Sequence, residues 1–282
     1  MMTLKFTKMH GIGNDYVYFD CVNGEIPEDL EGTAIRLSDR HFGVGGDGIV
    51  LILPSETCDF RMRMFNADGS EGKMCGNASR CVGKFVYERG LTDKTEVTLE
   101  TLGGVKILKL NVVDGIVTEV TVDMGKATFK TSEVPATAPV DEMVNYPVEV
   151  DGKEYKVTCV SVGNPHCVIF GDTPVIDIDL PKIGPKFENL SIFPERINTE
   201  FVRYIDETTL EMRVWERGSG ETLACGTGAS ATVSAAVKNG YCKADTDVTV
   251  KLLGGDLKIR YCSDGSVFMT GPATIVFDGE TL

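Results

Sequence analysis

The sequence predicts an α+β (α/β) protein of two pseudo-symmetric halves, each a strand-rich sheet wrapped around a central helix. Three observations carry this reading. The chain repeats itself at an offset of about 150 residues. Strand signals rich in β-branched residues recur in both halves. A helix of the same apolar spacing follows a Cys-Gly pair in each half.

The repeat is traced by its turns and glycines. Gly13-Asn14 has a counterpart in Gly163-Asn164, each followed by an apolar run, Tyr16–Phe19 and Cys167–Phe170. The stretch Phe65–Asn77 aligns with Trp215–Thr227, so that Cys75-Gly76 falls on Cys225-Gly226, and Gly90 falls on Gly240. Thr95–Gly104 matches Thr246–Gly255, and Asp114-Gly115 matches Asp264-Gly265. Shared turn chemistry explains one Asp-Gly pair. It does not explain a whole series of matches in one order. The N-terminal half is expected over 1–130, with a strand near 272–282 available to pack back onto it, and the C-terminal half over 131–271. The junction falls in the Thr131–Tyr146 stretch, which carries Pro135 and Pro139 and little periodicity.

Strands are expected at Val97–Leu99, Val105–Leu110, Ile116–Val122, Tyr155–Val160, Val168–Phe170, Thr209–Val214, Val248–Leu253 and Val267–Met269. Turn pairs such as Asp114-Gly115, Asp151-Gly152 and Asp264-Gly265 separate several of them. Of the helices, one follows Cys75, with Ala78, Cys81, Val82, Phe85 and Val86 on one face; another follows Cys225, with Ala229, Thr232, Val233, Ala236 and Val237 at the same spacing. Gly90 and Gly240 are placed to end them as C′ residues. The second is Ala, Ser and Val nearly all round, so it is expected to be buried. A third helix is expected over Pro27–Asp39, before the glycine run at 43–48.

Composition sets the class. In 282 residues, 42% are apolar and 25% charged, which excludes a disordered chain, a collagen-like fibre and a coiled coil. The longest strongly apolar run, Ile49–Leu53, is far short of a membrane span. The N-terminus has lysines and no apolar core of a secretory signal, so a cytoplasmic location is expected. A net charge of −14 argues against nucleic-acid and anionic-membrane partners. Nine cysteines, an odd number with no C-x-x-C, argue against a disulfide framework and give no metal motif.

Cys75 and Cys225 differ from the other seven because each opens a helix and is followed by Gly and a small polar residue, Gly76-Asn77 and Gly226-Thr227. A helix start offers unpaired N–H groups and the positive end of the dipole. It should shift the thiol toward thiolate and hold a carboxylate beside it. Either cysteine alone reads best as a buried core residue. The matched pair reads best as two acid–base groups. With the halves facing across a cleft, one sulfur removes an α-proton and the other delivers a proton to the opposite face, while the helix ends stabilise the carbanion's carboxylate.

Those residues lie in motifs that resemble the diaminopimelate epimerase family: MCGNASRC (Met74–Cys81), ERGSGETLACGTGA (Glu216–Ala229), GNDY (Gly13–Tyr16), DRHFGVGGDG (Asp39–Gly48), FNADGSE (Phe65–Glu71) and GNPH (Gly163–His166). The resemblance covers almost the whole chain. It implies a cofactor-independent, two-base epimerase that interconverts LL- and meso-diaminopimelate on the route to lysine and peptidoglycan. It also implies a site between the halves, no metal and a homodimer. Carried over by motif, Cys75 and Cys225 are the acid–base pair, and His166 and Glu216 assist them. The backbone around Gly76-Asn77 and Gly226-Thr227 holds the reacting carboxylate. Asn14, Asn66, Asn164, Asn198, Glu216 and Arg217 read the substrate.

The chemistry of the side chains suits those roles. Asn offers a donor and an acceptor together. Arg217 is able to grip a distal carboxylate with two parallel bonds and Glu216 to take an ammonium. Read without the family, Asn66, Asn164 and Asn198 are better taken as turn and cap residues, while Glu216-Arg217 is equally an exposed strand-end pair and His166 equally a structural histidine. The glycine run departs from the family: many members carry Asp-Gln where this chain has Asp47-Gly48, so no side-chain role is carried to Gly48. It also lacks the Lys-Ser/Thr of a phosphate loop. Three other functions remain open on the residues: a proline-type racemase, a Cys-His hydrolase or transferase with a covalent intermediate, and a non-catalytic amino-acid binder.

Overall fold

A computed structural model describes residues 3–281. Met1 and Met2, at the start of the expected N-terminal half, and Leu282, at the end of the expected returning strand, lie outside the described residues. Internal contacts divide the chain into two units, Met1–Asp123 with Thr270–Leu282, and Met124–Met269.

The first unit runs through β1 (Lys5–Gly11), β2 (Asn14–Asp20), α1 (Leu30–Ser38), β3 (Gly48–Leu53), β4 (Phe60–Asn66), β5 (Glu71–Gly72), α2 (Gly76–Glu88), β6 (Glu96–Glu100), β7 (Lys106–Val113) and most of β8 (Ile116–Lys126). The second holds β9 (Tyr146–Val150), β10 (Lys153–Ser161), β11 (Pro165–Gly171), α3 (Leu180–Glu188), β12 (Asn198–Asp206), β13 (Thr209–Glu216), β14 (Gly220–Thr222), α4 (Gly226–Lys238), β15 (Asp247–Leu252), β16 (Gly255–Tyr261) and most of β17 (Ser266–Gly271). The chain then returns to the first unit as β18 (Thr274–Glu280), antiparallel to β1. Each of the eight expected strands is present to within three residues at its start, the largest offset being β11, which begins at Pro165 rather than Val168, and several run further at their ends. This is a mixed α/β fold, strand-rich with few helices.

The sequence repeat is a repeat of register. In the first unit β2 and β3 are parallel with Tyr16 opposite Gly48, and β3 and β4 are antiparallel with Gly48 opposite Asn66. In the second, β11 and β12 are parallel with His166 opposite Asn198, and β12 and β13 are antiparallel with Thr199 opposite Trp215. Each unit thus places the strand that starts at Asn14 or Pro165 one strand away from the one that leads toward the cysteine, with β3 or β12 between them.

The helices show where local pattern suffices and where packing decides. α4 is buried over nearly its whole length, as its Ala/Ser/Val composition predicts. Its serines stay satisfied by bonding back one turn, Ser230 Oγ to the Gly226 carbonyl and Ser234 Oγ to the Ser230 carbonyl, each at 2.8 Å. α2 is just as buried despite carrying Arg80 and Lys84. Arg80 donates through Nη1 to Asn77 Oδ1 (2.9 Å) and through Nε to the Pro272 carbonyl (3.1 Å); Lys84 donates to Glu88 (2.6 Å) and to the Val117 carbonyl (2.8 Å). Gly90 (φ 72°) and Gly240 (φ 79°) follow the last turns in the left-handed region, as expected of C′ glycines.

Two expectations need correction. The third helix starts at Leu30 rather than Pro27, because Asp29 is its N-cap and accepts the Gly32 N–H at 2.9 Å. α3 was not expected at all, since Pro185 lies inside it. It forms against Trp215: a Cβ on Gly184 would lie 2.5 Å from the indole ring, so the glycine lets the helix sit flush on it. Trp215 Nε1–H donates to Glu188 at the helix end (2.7 Å). Phe187 and Leu180 complete a core with Val157, Cys159, Cys167 and Phe201. Among the described residues no helix is long and apolar enough to cross a membrane.

Candidate active site

In the first unit Cys75 is the N-cap of α2, with extended backbone (φ −134°, ψ 120°). Its sulfur accepts the Ala78 N–H at 3.5 Å and lies 3.4 Å from Asn14 Oδ1, as a donor. Asn14 in turn donates Nδ2–H to Asp47 Oδ2 (2.8 Å), which also accepts the Asp15 N–H (3.0 Å). Arg40 ties Asp47 to Asp15. Asn77 is buried and accepts from Arg80 through its amide oxygen. Asn66 is half-buried at the end of β4 and donates to Ser70 Oγ across a turn (3.0 Å). At Gly48 a Cβ would lie 2.0 Å from the Phe65 carbonyl oxygen and 2.9 Å from the Tyr16 ring. The space of the absent side chain is therefore filled by neighbours on either side.

The second unit builds the matching arrangement with more charge. Cys225 is the N-cap of α4 (φ −120°, ψ 107°), its sulfur accepting the Gly228 N–H at 3.3 Å and lying 3.5 Å from Thr227 Oγ1. Glu216, at the end of β13, accepts from Thr222 and bonds to Cys225. Burial pushes its carboxyl up; the bonds from Thr222 and Cys225 oppose that without cancelling it. His166 is wholly buried on β11, with Nε2 2.9 Å from Asn164 Oδ1 and Nδ1 2.7 Å from Glu200 Oε1. Asn198 ties Pro165 to the following strand, donating to its carbonyl (3.0 Å) and accepting the Arg217 N–H (2.9 Å).

One expectation reverses here. The helix start was expected to favour thiolate at Cys225, but the thiol is pushed well above its ordinary value, first by burial and then by the negative charges of Glu216 and Glu200. The Thr227 and Gly228 donors pull the other way and lose. Taking a thiolate out of water costs more than two donors and a helix end return.

The structure gathers Asn164, His166, Glu216, Thr227 and Cys225 at one place in the second unit, and Asn14 with Cys75 in the first. It turns Arg217 the other way: Nη1–H donates to the Glu195 carbonyl (2.9 Å), so Glu216 and Arg217 do not form one paired reader. Successive residues leaving a strand point to opposite faces. Sequence reasoning missed Glu200 and Asp47. Glu200 carried a signal, a lone carboxylate inside the apolar run of β12. Asp47 was hidden in a glycine-rich loop.

The sequence profile of diaminopimelate epimerase matches residues 6–130 and 158–276. The chain belongs to the diaminopimelate epimerase family. A diaminopimelate epimerase of Acetivibrio thermocellus is 56% identical over 279 residues, 98% of each chain. One of Methanococcus maripaludis is 51% identical over 278 residues, 98% of this chain and 99% of its relative. The same fold recurs at low identity in a Bacillus anthracis phenazine biosynthesis protein of the PhzF family (TM-score 0.71, 16% identity, all of both chains). It recurs too in a hydroxyproline epimerase of Agrobacterium vitis (TM-score 0.68, 14% identity, 99% of this chain and 92% of the other). As a diaminopimelate epimerase the chain is an isomerase acting on an amino acid, in lysine biosynthesis.

Proposed function

We propose that this epimerase inverts one α-carbon of LL- or meso-diaminopimelate by two-base proton transfer, with Cys75 and Cys225 as the pair and no cofactor. The observation that carries the reading is the matched placement of the two sulfurs: each caps a helix, and each accepts an N–H three residues on, from Ala78 and from Gly228. A thiolate removes the α-proton, the electron pair spreads into the substrate carboxylate, and the opposite thiol gives its proton to the other face. The backbone around Gly76-Asn77 and Gly226-Thr227, at the starts of α2 and α4, takes the carboxylate as charge builds on it. Cys225, held as the neutral thiol, is the proton donor of the resting state, and the roles exchange with the isomer bound.

Asn14, Asn66, Asn164 and Asn198 are the amide groups of substrate recognition in this reading, and His166 and Glu216 serve the Cys225 end. Arg217 reaches a distal carboxylate by leaving the Glu195 carbonyl. We also infer a homodimer in the cytoplasm. The homodimer is supported by β18, where Val276 and Phe277 are exposed. The location is supported by nine cysteines, none of them in a disulfide, which suits a reducing compartment.

The test is incubation of protein stripped of metal and pyridoxal with LL-diaminopimelate in heavy water, followed by NMR. Deuterium is expected at the inverted α-carbon alone. Cys75→Ala and Cys225→Ala each abolish turnover in a folded protein. A single alanine variant with near-normal turnover overturns the two-base scheme. A proline-type racemase is disfavoured because its substrate has no distal carboxylate for Arg217 to hold.

A further inference from the structure

Glu200 sits where no routine structural need explains it. It is the third residue of β12, between Thr199 and Phe201, and is fully buried. Oε1 lies 2.7 Å from His166 Nδ1, while Oε2 is buried without a hydrogen-bond partner. A buried carboxylate carries a large desolvation cost, and one left half satisfied costs more still. An amide or an apolar residue would fill the same volume on a strand at lower cost.

Its surroundings say what that cost maintains. The Nδ1–H donated to Glu200 fixes the tilt of the imidazole and sends the other nitrogen to Asn164, 2.9 Å away. The same carboxylate lies against the first turn of α4. A Cβ on Gly228 would lie 2.8 Å from Glu200 Oε1 and 3.2 Å from Cys225 Sγ, so only a glycine lets acid and sulfur approach the same point of the helix. We propose that Glu200 is a positioning residue of the epimerase, holding His166 in the orientation that the Cys225 end of the reaction uses and setting the charge beside that sulfur. The proposal rests on the two-base reading of Cys225.

The groups facing Cys225 are few. Glu216 approaches from the end of β13 and Glu200 from β12; Thr227 Oγ1 and the Gly228 N–H come from its own helix; His166, on β11, stands by Glu200. Both carboxylates disfavour the thiolate, and Glu200 acts through its charge alone, since no bond joins it to the sulfur. Orientation and charge are therefore separable. Glu200→Gln keeps an oxygen for the His166 N–H and removes the charge. Glu200→Leu removes both.

The test reads the two effects apart in the full-length enzyme. Peptide-resolved alkylation of Cys225 by iodoacetamide is followed against pH, beside kcat and KM in both directions. Glu200→Gln is expected to move the Cys225 alkylation midpoint to lower pH. Glu200→Leu is expected to lower kcat by roughly tenfold or more with KM little changed. The low-field Nδ1 proton of His166, one of only three histidines, should persist with Gln and vanish with Leu. Should Glu200→Leu fail to fold, the isosteric Gln variant still decides through its alkylation profile. An unmoved midpoint in Glu200→Gln, or full kcat in folded Glu200→Leu, overturns the proposal. Cys225→Ser separates the two failures. Retained turnover there sinks the two-base reading itself, whereas a dead Cys225→Ser beside unaffected Glu200 variants removes only the role of Glu200.

Discussion

Asn14 turns its amide oxygen, not its NH2, to Cys75, at 3.4 Å, and Asp47 is the reason. The carboxylate takes Nδ2–H and leaves Oδ1 as the only face the sulfur meets. The relation needs no contact between Asp47 and the sulfur. It is the counterpart in the first unit of the Glu200–His166 bond in the second: in each, a carboxylate orients a polar side chain of the candidate site.

Asp47→Ala should therefore free the Asn14 amide to rotate. The sulfur then meets donor and acceptor in turn, and kcat/KM is expected to fall roughly tenfold. Asp47→Asn retains an oxygen acceptor and should recover most of the loss. Steady-state kinetics with a thermal unfolding control decide this. Unchanged kcat/KM in Asp47→Ala would show that the amide's orientation is immaterial.

Alkaline pH should unfold this protein through its buried thiols. Burial is the leading cause that lifts Cys21 to about 12, Cys81 to about 11 and Cys242 to about 11. These groups hold their protons more tightly when folded than unfolded. The stability they contribute is complete below the unfolded thiol value, about 8.5. It is lost as pH rises through the folded values. Denaturant midpoints measured from pH 7 to 11 should fall steadily above pH 9, and Cys81→Ala should flatten the fall. A flat profile in the parent chain would contradict the assigned burial.

Arg80 ties the first turn of α2 to the strand that returns at the chain's end. Arg80→Ala removes the partner of Asn77 Oδ1 and of the Pro272 carbonyl and leaves a void where a fully buried side chain stood. The combined cost is about 3 kcal/mol. Equilibrium unfolding in urea measures it. A loss under about 1 kcal/mol would mean that water replaces the guanidinium without strain.

What the sequence made legible followed from local rules. The repeat, the two cysteine-capped helices, their glycine ends and the Asn164–His166 neighbourhood rest on spacing and capping chemistry within short windows. α3 was not legible because Pro185 and Gly184 both speak against a helix, and only the Trp215 surface, supplied by a strand some thirty residues on, makes it stable. The state of Cys225 was not legible for the same reason. The helix start is local, but the burial and the two carboxylates that outweigh it arrive from β12 and β13. The opposite directions of Glu216 and Arg217 depend on how β13 ends, which charge order along the chain does not reveal.

Gly48 ties the departure from the family's motif to backbone geometry. Its φ of 156° lies at the edge of what a side chain tolerates, and its Cβ position is occupied to within 2.0 Å by the Phe65 carbonyl. Gly48→Ala should cost about 3 kcal/mol, since backbone, not a flexible side chain, must give way. Gly171→Ala, where a Cβ meets nothing within 4 Å, is the control and should be nearly neutral. Gly48→Gln should then be no better than alanine in stability and should not raise kcat/KM. A tolerated, more active Gly48→Gln would show that β3 shifts readily from Phe65 and that a side chain there reaches substrate after all.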